Sequence, residues 1–300
     1  MTKQSNEIIP TYEINELLDI QSGKKEFEFY RFEYFATNID HLKDPHRHDH
    51  FAIFFITAGK GMHNIDFDDY ELKPNRLFFL SAGQIHTWKG NPAARGFVLL
   101  FNSSYFNMSA QSRHLRDFLY FNTLQPKPYI DIGEESKKYF VQLFINMEEE
   151  HLTNANHKHI IIRAYLTILL YELVRLYENS ISVNKAKGLS VDKISEFEKA
   201  VNVNFISIKT VAEYAAMLNI TPNYLNAICK KVKGKAASEI IQDRIMLEAK
   251  RLLSHSGKTV AEIAFYLGFE DNSYFGRFFK KYNGQTPVEF RSHIQAKEHR

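Results

Sequence analysis

A segment of about 25 residues occurs twice in the last third of this 300-residue chain, and it limits the possible folds more tightly than any other feature. The first copy runs from Thr210 to Gly234, TVAEYAAMLNITPNYLNAICKKVKG, and the second from Thr259 to Gly284, TVAEIAFYLGFEDNSYFGRFFKKYNG. The copies begin 49 residues apart and end 50 apart, so the second holds one extra residue between Leu267 and Tyr274. In each copy a Thr can cap a short helix of Val, Ala and Leu. A tight turn follows at Asn219 or Gly268, and a second helix starts at Thr221-Pro222 or Asp271-Asn272. Two short helices joined in this way form a helix-turn-helix, and the sequence encodes it twice.

The second helix of each copy separates into two faces. Leu225, Ile228, Cys229 and Val232 form an apolar stripe in the first, and Phe275, Phe278, Phe279 and Tyr282 form it in the second. The remaining positions, Asn223, Asn226, Ala227 and Lys230, and then Ser273, Gly276, Arg277 and Lys280, stay outside. A helix pinned by its partner while its outer face is polar can enter a major groove about 12 Å wide. Arg277 suits a bidentate contact to guanine, Asn223 or Asn226 suits adenine, and the lysines suit phosphates. Charge supports this division of labour. Residues 190–300 carry 17 Lys+Arg against 12 Asp+Glu, whereas residues 1–189 carry 21 against 23. The basic excess is confined to the part with the repeat, as expected for a module that meets a polyanion. Cys229 lies on the apolar stripe where the other copy has Phe279, which marks it as a core residue rather than a redox sensor.

Up to about residue 130 the pattern is of a different kind. FEFYRFEYF (27–35), HFAIFFITAG (50–59), HNIDF (63–67), NRLFFLSAG (75–83), IHTW (85–88) and RGFVLLF (95–101) are rich in aromatic and β-branched residues and separated by turn residues. They predict a small β-barrel or sandwich. From Glu134 the period changes: Phe140, Leu143, Phe144 and Met147, then Ile162, Leu166, Leu169, Leu173 and Leu176, mark two amphipathic helices. Ile161, Ile168 and Leu170 lie beside the second stripe, more apolar surface than covering a small barrel requires. NSISVNKAKGLS (179–190) is polar and aperiodic and reads as a linker. The chain has no uncharged apolar run near the ~20 residues of a membrane span, no basic-apolar leader and one cysteine, so a reducing cytoplasm is the expected location.

The C-terminal residues resemble the DNA-binding domain of the AraC/XylS family of bacterial transcription regulators. The likeness is carried by TVAEIAFYLGFEDNSYFGRFFKKYNGQTPVEFR (259–291), with its Gly268-Phe269 turn, Phe275, Phe279, Lys280 and closing Thr286-Pro287. The stretch from Arg244 through Ala249, Leu252 and Leu253 resembles the long helix that joins the two units. The resemblance implies that both recognition helices face DNA, with Asn223, Asn226, Asn272, Ser273 and Arg277 among the contacts. Ala227 and Asn223 stand where many relatives carry larger or basic residues, which implies weaker base reading by the first helix or tuning to A·T pairs. The implied organisation is α+β in two domains: a cupin-like β-barrel with amphipathic helices over 1–180, a linker over 181–190, and an all-α double helix-turn-helix domain over 191–300.

The N-terminal half resembles the cupin-like sensor domain that many members of the family carry. PHRHDH contributes His46, His48 and His50, which alternation places on one face of a strand, and SAGQIH contributes His86. Metal cupins hold a transition metal with a His-x-His pair, a Glu a few residues on, and a later His. Here Ala52 and Ile53 stand where the Glu would fall, and no carboxylate follows before Asp66. The reading is therefore a small-molecule pocket whose wall includes His46, His48, His86 and Trp88, with no resident cofactor or metal. Two functions remain: an effector-responsive transcription regulator, most simply an activator, and a metal-dependent cupin oxygenase or isomerase with an appended helical module. The repeat favours the regulator, because an enzyme has no use for two helix-turn-helix units. The partners it implies are double-stranded DNA, a small effector, RNA polymerase and a second copy of the chain.

Overall fold

In a computed structural model the chain is described for residues 10–14, 25–38, 44–106, 118, 121, 127–180 and 189–298. The chain divides into two compact units between residues 184 and 185. Of the stretch 179–190 that reads as a linker, Asn179, Ser180, Leu189 and Ser190 are described, and all four belong to helices.

The N-terminal unit is built on one eight-stranded sheet that curls into a half-barrel. Its strands are β1 (Thr11–Tyr12), β2 (Phe27–Arg31), β3 (His46–His48), β4 (Phe51–Ile65), β5 (Asp68–Leu72), β6 (Arg76–Leu80), β7 (Ile85–Phe101) and β8 (Tyr129–Asp131). The order is β1-β3-β7-β4-β6-β8, with β2 also pairing β7 and β5 also pairing β4. The expected strands at 50–59 and 63–67 are one strand, β4, and those at 85–88 and 95–101 are one strand, β7. The pair bends without breaking, because register shifts between Ile56 and Ala58 and between Lys60 and Met62 set unequal numbers of residues against each other. The stretch 27–35 is strand only as far as Arg31. Helix α1 (Phe32–Asn38) follows, because Phe32 and Phe35, three residues apart, both reach the sheet's inner side from one helical face.

The central strands are buried on both faces, which accounts for the unbroken apolar run FAIFFI. Phe51, Ile53 and Phe55 of β4, with Phe97, Leu99 and Phe101 of β7, belong to a core shared with α2 (Ser103–Phe106), α3 (Glu134–Leu152) and α4 (Lys158–Ser180). The alternate residues Ala52, Phe54, Ile56, Val98 and Leu100 form a second core on the inner side with Phe32, Phe35 and Trp88. Helix α3 buries Phe140, Leu143, Phe144 and Met147, the stripe read from the sequence. Helix α4 buries Ile162, Leu166, Leu169 and Leu173. Leu170, expected beside that stripe, is fully buried in the same core, while Leu176 is only partly buried.

The C-terminal unit is helical: α5 (Leu189–Asn204), α6 (Val211–Met217), α7 (Pro222–Lys233), α8 (Ala237–His255), α9 (Val260–Tyr266), α10 (Asn272–Asn283) and α11 (Pro287–Glu298). Thr210 and Thr259 each close a capping box, with Glu213 and Glu262 three residues on. Thr221 caps α7 and Asp271 caps α10, so the extra residue of the second copy is accommodated between the turn and the Asp271 cap. Gly234 and Gly284 end those helices in the left-handed conformation. Each side-chain cap contributes about 1 kcal/mol, and the two copies use them at matching places. Between the copies, α8 buries Arg244, Glu248 and Arg251; the Glu248 carboxylate accepts from Arg244 at 3.1 Å and from Arg251 at 3.4 Å.

Candidate nucleic-acid interface and effector site

Helices α7 and α10 present equivalent surfaces. Leu225, Ile228 and Cys229 are buried in the first, Phe275 and Phe279 in the second. Asn223, Ala227 and Lys230, and Asn272, Ser273, Arg277 and Lys280, are exposed, as the sequence reading places them. Four assignments change. Tyr282 is 40% exposed and leaves the apolar stripe, and Val232 and Phe278 lie only half inside it. Asn226 is half-buried, and its Oδ1 accepts from the Ala237 amide at 3.0 Å. It thus satisfies one of the orphan amides at the start of α8, a structural task that ties up much of the side chain. Tyr224 and Tyr274, at equivalent positions one residue after Asn223 and Ser273, are 41% and 57% exposed. Their recurrence in both copies was the available signal for two further outer-face side chains.

Electrostatics leave Arg277 available. Its Nη2 lies 3.9 Å from Asp271 Oδ2, and both side chains are well exposed, so the pair is weak. Asp271 is committed to the backbone: the amides of Ser273 and Tyr274 donate to it at 2.9 and 3.0 Å. The Ser273 amide is the first cause of a carboxyl held below the usual carboxylate range. Cys229 is enclosed, and burial pushes its thiol up to about 12, which fits a core role and leaves it without a reactive thiolate.

The approach to the first helix-turn-helix unit contacts the turn of the second. Lys209 Nζ donates to the carbonyls of Ile206, at 2.8 Å, and Leu267, at 2.6 Å, linking the approach to α6 with the end of α9. Gly268, with φ +73°, packs so closely that a Cβ there would lie 2.4 Å from the Ile206 carbonyl oxygen. Asn219, the equivalent turn residue of the first copy, has φ +53° and carries a side chain. Both turns adopt the left-handed conformation, and the second is pressed against its neighbour.

In the N-terminal unit β3, β4 and β7 gather histidines on the inner side of the sheet. His46 pairs with His86 across β3 and β7, and His63 with Trp88 across β4 and β7. His46, His48, His50, His63 and His86 are at most 1% exposed, and Trp88 is 4% exposed. His48 Nε2 lies 2.6 Å from His86 Nε2, and His63 Nε2 lies 2.9 Å from His86 Nδ1. His46 Nδ1 donates to the Asp44 carbonyl at 2.8 Å. The His63 ring stacks on Trp88 with centroids 3.7 Å apart. Burial, reinforced by the neighbouring imidazoles, holds His63 and His86 well below the ordinary histidine value, so both rings are neutral. The expected wall residues His46, His48, His86 and Trp88 therefore do come together. His50 joins them, its ring centroid 4.5 Å from that of His48. His63 is the member that the sequence reading missed.

A family model described as an AraC-like ligand binding domain matches residues 29–161, and one described as a helix-turn-helix domain matches residues 214–293. The chain is similar to an HTH-type transcriptional activator, RhaR, of Mannheimia succiniciproducens, with 23% identity over 86% of this chain and 91% of that protein. It is similar also to the Msm operon regulatory protein of Streptococcus mutans, with 26% identity over 84% of this chain and 87% of that one. Among solved structures, ToxT of Vibrio cholerae aligns over 89% of this chain and 98% of its own, at 15% identity and a TM-score of 0.41. With one matched model in each unit, and relatives that span nearly the whole length, the chain belongs to the AraC family of transcription regulators.

Proposed function

We propose that this regulator binds double-stranded DNA through α7 and α10 and answers to a small effector held by the N-terminal unit. The observation that carries the reading is the equivalence of the two helices: each is capped at its start, ends on a left-handed glycine, buries one stripe and exposes the polar one. Asn223, Ala227, Asn272, Ser273 and Arg277 supply base-edge chemistry, Lys230 and Lys280 supply phosphate contacts, and Asn226 contributes by setting the start of α8. His46, His48, His86 and Trp88 are the effector-facing residues. Their burial means that an effector reaches them only through an opening of the unit. Catalysis is not part of this reading, since the named relatives are regulators. RNA polymerase is the expected downstream partner. The cytoplasm is the expected location, consistent with the absence, among the described residues, of any helix long and apolar enough to cross a membrane.

The test is retention of duplex DNA by the full-length chain as salt is raised. Lysine and arginine contacts release counterions, so log affinity falls linearly with log salt, by about 0.9 per phosphate contact. A chain that retains no DNA at low salt would remove the reading.

A second copy is the other expected partner. On α4, Ile161, Ala164, Ile168 and Tyr171 are exposed at spacings of three, four and three residues, the rhythm of a helix-pairing seam. Leu170 is not part of that surface, because it is buried within the unit. Sedimentation of the full chain should report a dimer at micromolar concentration. Glu at Ile161 and Ile168 should shift it to monomer with unchanged circular dichroism. A wild-type chain that is monomeric throughout would defeat the assignment.

A further inference from the structure

We propose that His46, His48 and His86 bind a transition-metal dication of the zinc, cobalt or nickel class, with His63 as the positioning residue behind His86. The inference rests on the reading of the N-terminal unit as an effector-binding domain and names the chemistry its interior selects. One nitrogen from each of the three rings falls within 4.8 Å of the other two, and all three rings are buried. Such a set has no oxygen donor, which disfavours magnesium and calcium and suits cations that accept imidazole.

The hydrogen bonds orient the rings for this task. The Asp44 carbonyl can only accept, so His46 carries its proton on Nδ1 and its lone pair on Nε2. His86 Nδ1 is engaged by His63 Nε2, which leaves His86 Nε2 directed at His48 Nε2. Of these two facing Nε2 atoms, 2.6 Å apart, one must carry a proton if nothing lies between them. With an ion between them, both can present lone pairs. Tetrahedral zinc with nitrogen at 2.0–2.1 Å separates its ligand atoms by about 3.3 Å, so the close pair opens by about 0.7 Å while the wider spacing closes.

A histidine that ligates through one nitrogen ordinarily has the other fixed by a hydrogen bond, and His63 fills that place for His86. His63 is itself held in a stack on Trp88 and by the edges of Phe54 and Phe78. The sequence pattern argues against metal because a glutamate is missing near Ala52 and Ile53. The structure supplies three imidazoles without it, leaving a fourth tetrahedral position to water or to an oxygen of the effector.

The experiment uses the full-length chain stripped with a chelator, dialysed and titrated with cobalt(II). The expected result is one equivalent bound per chain, with the intense visible absorption of a low-coordinate nitrogen site that zinc bleaches. His48→Asn or His86→Asn should weaken cobalt binding at least about 100-fold. His63→Phe should weaken it about 10–100-fold, as loss of a ligand's hydrogen-bond partner does, while keeping the one-to-one stoichiometry and a visible spectrum. His157→Ala, on the turn between α3 and α4, should change nothing. X-ray absorption of the zinc-loaded wild-type chain needs no variant and should report a nitrogen and oxygen shell with imidazole scattering. No visible cobalt spectrum, a sulfur-containing shell, or binding that survives His46→Asn/His48→Asn/His86→Asn would overturn the proposal. DNA retention measured on the stripped chain separates the two readings: retention without metal binding overturns this inference alone, and metal binding without retention overturns only the DNA-binding reading.

Discussion

Arg277→Ala in the full-length chain should weaken specific DNA binding by about 5–150-fold, or ~1–3 kcal/mol, and the loss should be concentrated at one or two base pairs. Arg277 stands on the exposed stripe of α10, one turn beyond Ser273, with a guanidinium fork long enough to reach a guanine edge. Its contact to Asp271 is long and exposed, so little is lost when the fork turns to DNA. Asp271 meanwhile stays bound to the start of its own helix. Lys280→Ala should behave differently, weakening all sequences alike and lowering the salt slope by about 1, because a phosphate contact carries no base information. Binding measured against a panel of duplexes at several salt concentrations separates the two. Equal losses on every duplex from Arg277→Ala would remove it from the base-reading set. Ala227 makes a complementary case. It occupies the position of Arg277 in the first copy, so Ala227→Arg should raise non-specific affinity and steepen the salt dependence.

Gly268→Ala should destabilise the C-terminal unit by about 2–4 kcal/mol, lowering its melting transition by roughly 10–25 °C. Two penalties combine. A Cβ at φ +73° meets left-handed strain of about 1–2 kcal/mol. The same Cβ would lie 2.4 Å from the Ile206 carbonyl oxygen and 2.9 Å from Lys209 Nζ, so the turn and the approach to α6 must move apart. That movement strains the Lys209 bridge to Leu267 and with it the relative placing of α7 and α10. DNA affinity should therefore fall even where the variant remains folded. Gly268→Asn separates the causes: asparagine tolerates the left-handed conformation, as Asn219 does in the first copy, yet retains the collision. It should recover only part of the loss. Asn219→Gly should change stability by no more than about 1 kcal/mol. Thermal unfolding followed by circular dichroism reads all three, and a Gly268→Ala chain that melts with the wild type would show that the contact to Ile206 is not held in solution.

Much of the C-terminal unit was legible in the sequence because its determinants are local. A cap involves residues three apart, as Thr210 and Glu213 or Thr259 and Glu262 do, and a helical stripe repeats every three or four. Both signals occur twice, in register, and the repetition fixed the helix-turn-helix assignment. The stripes of α3 and α4 were legible for the same reason. The faces failed only at their edges: Tyr282 is exposed and Leu170 is buried, because whether a flanking position is covered depends on which neighbour lies there.

Tertiary structure decided what depends on distant segments. Alternation from Phe54 places His63 on the opposite face of β4, and no local rule contradicts that. The register shift between Ile56 and Ala58 sets one extra residue of β4 against β7 and reverses the alternation, so that His63 arrives beside Trp88 and His86. Asn226 read as a base-contacting residue until α8 brought the Ala237 amide to its Oδ1. The sequence by itself therefore determined the two helix-turn-helix units, the buried and polar faces of their second helices and the aromatic sheet, all set by spacing within a few residues. The fourth imidazole, the second task of Asn226 and the need for glycine at 268 came only from the fold. Each depends on a backbone or side-chain atom many residues away being brought within contact distance.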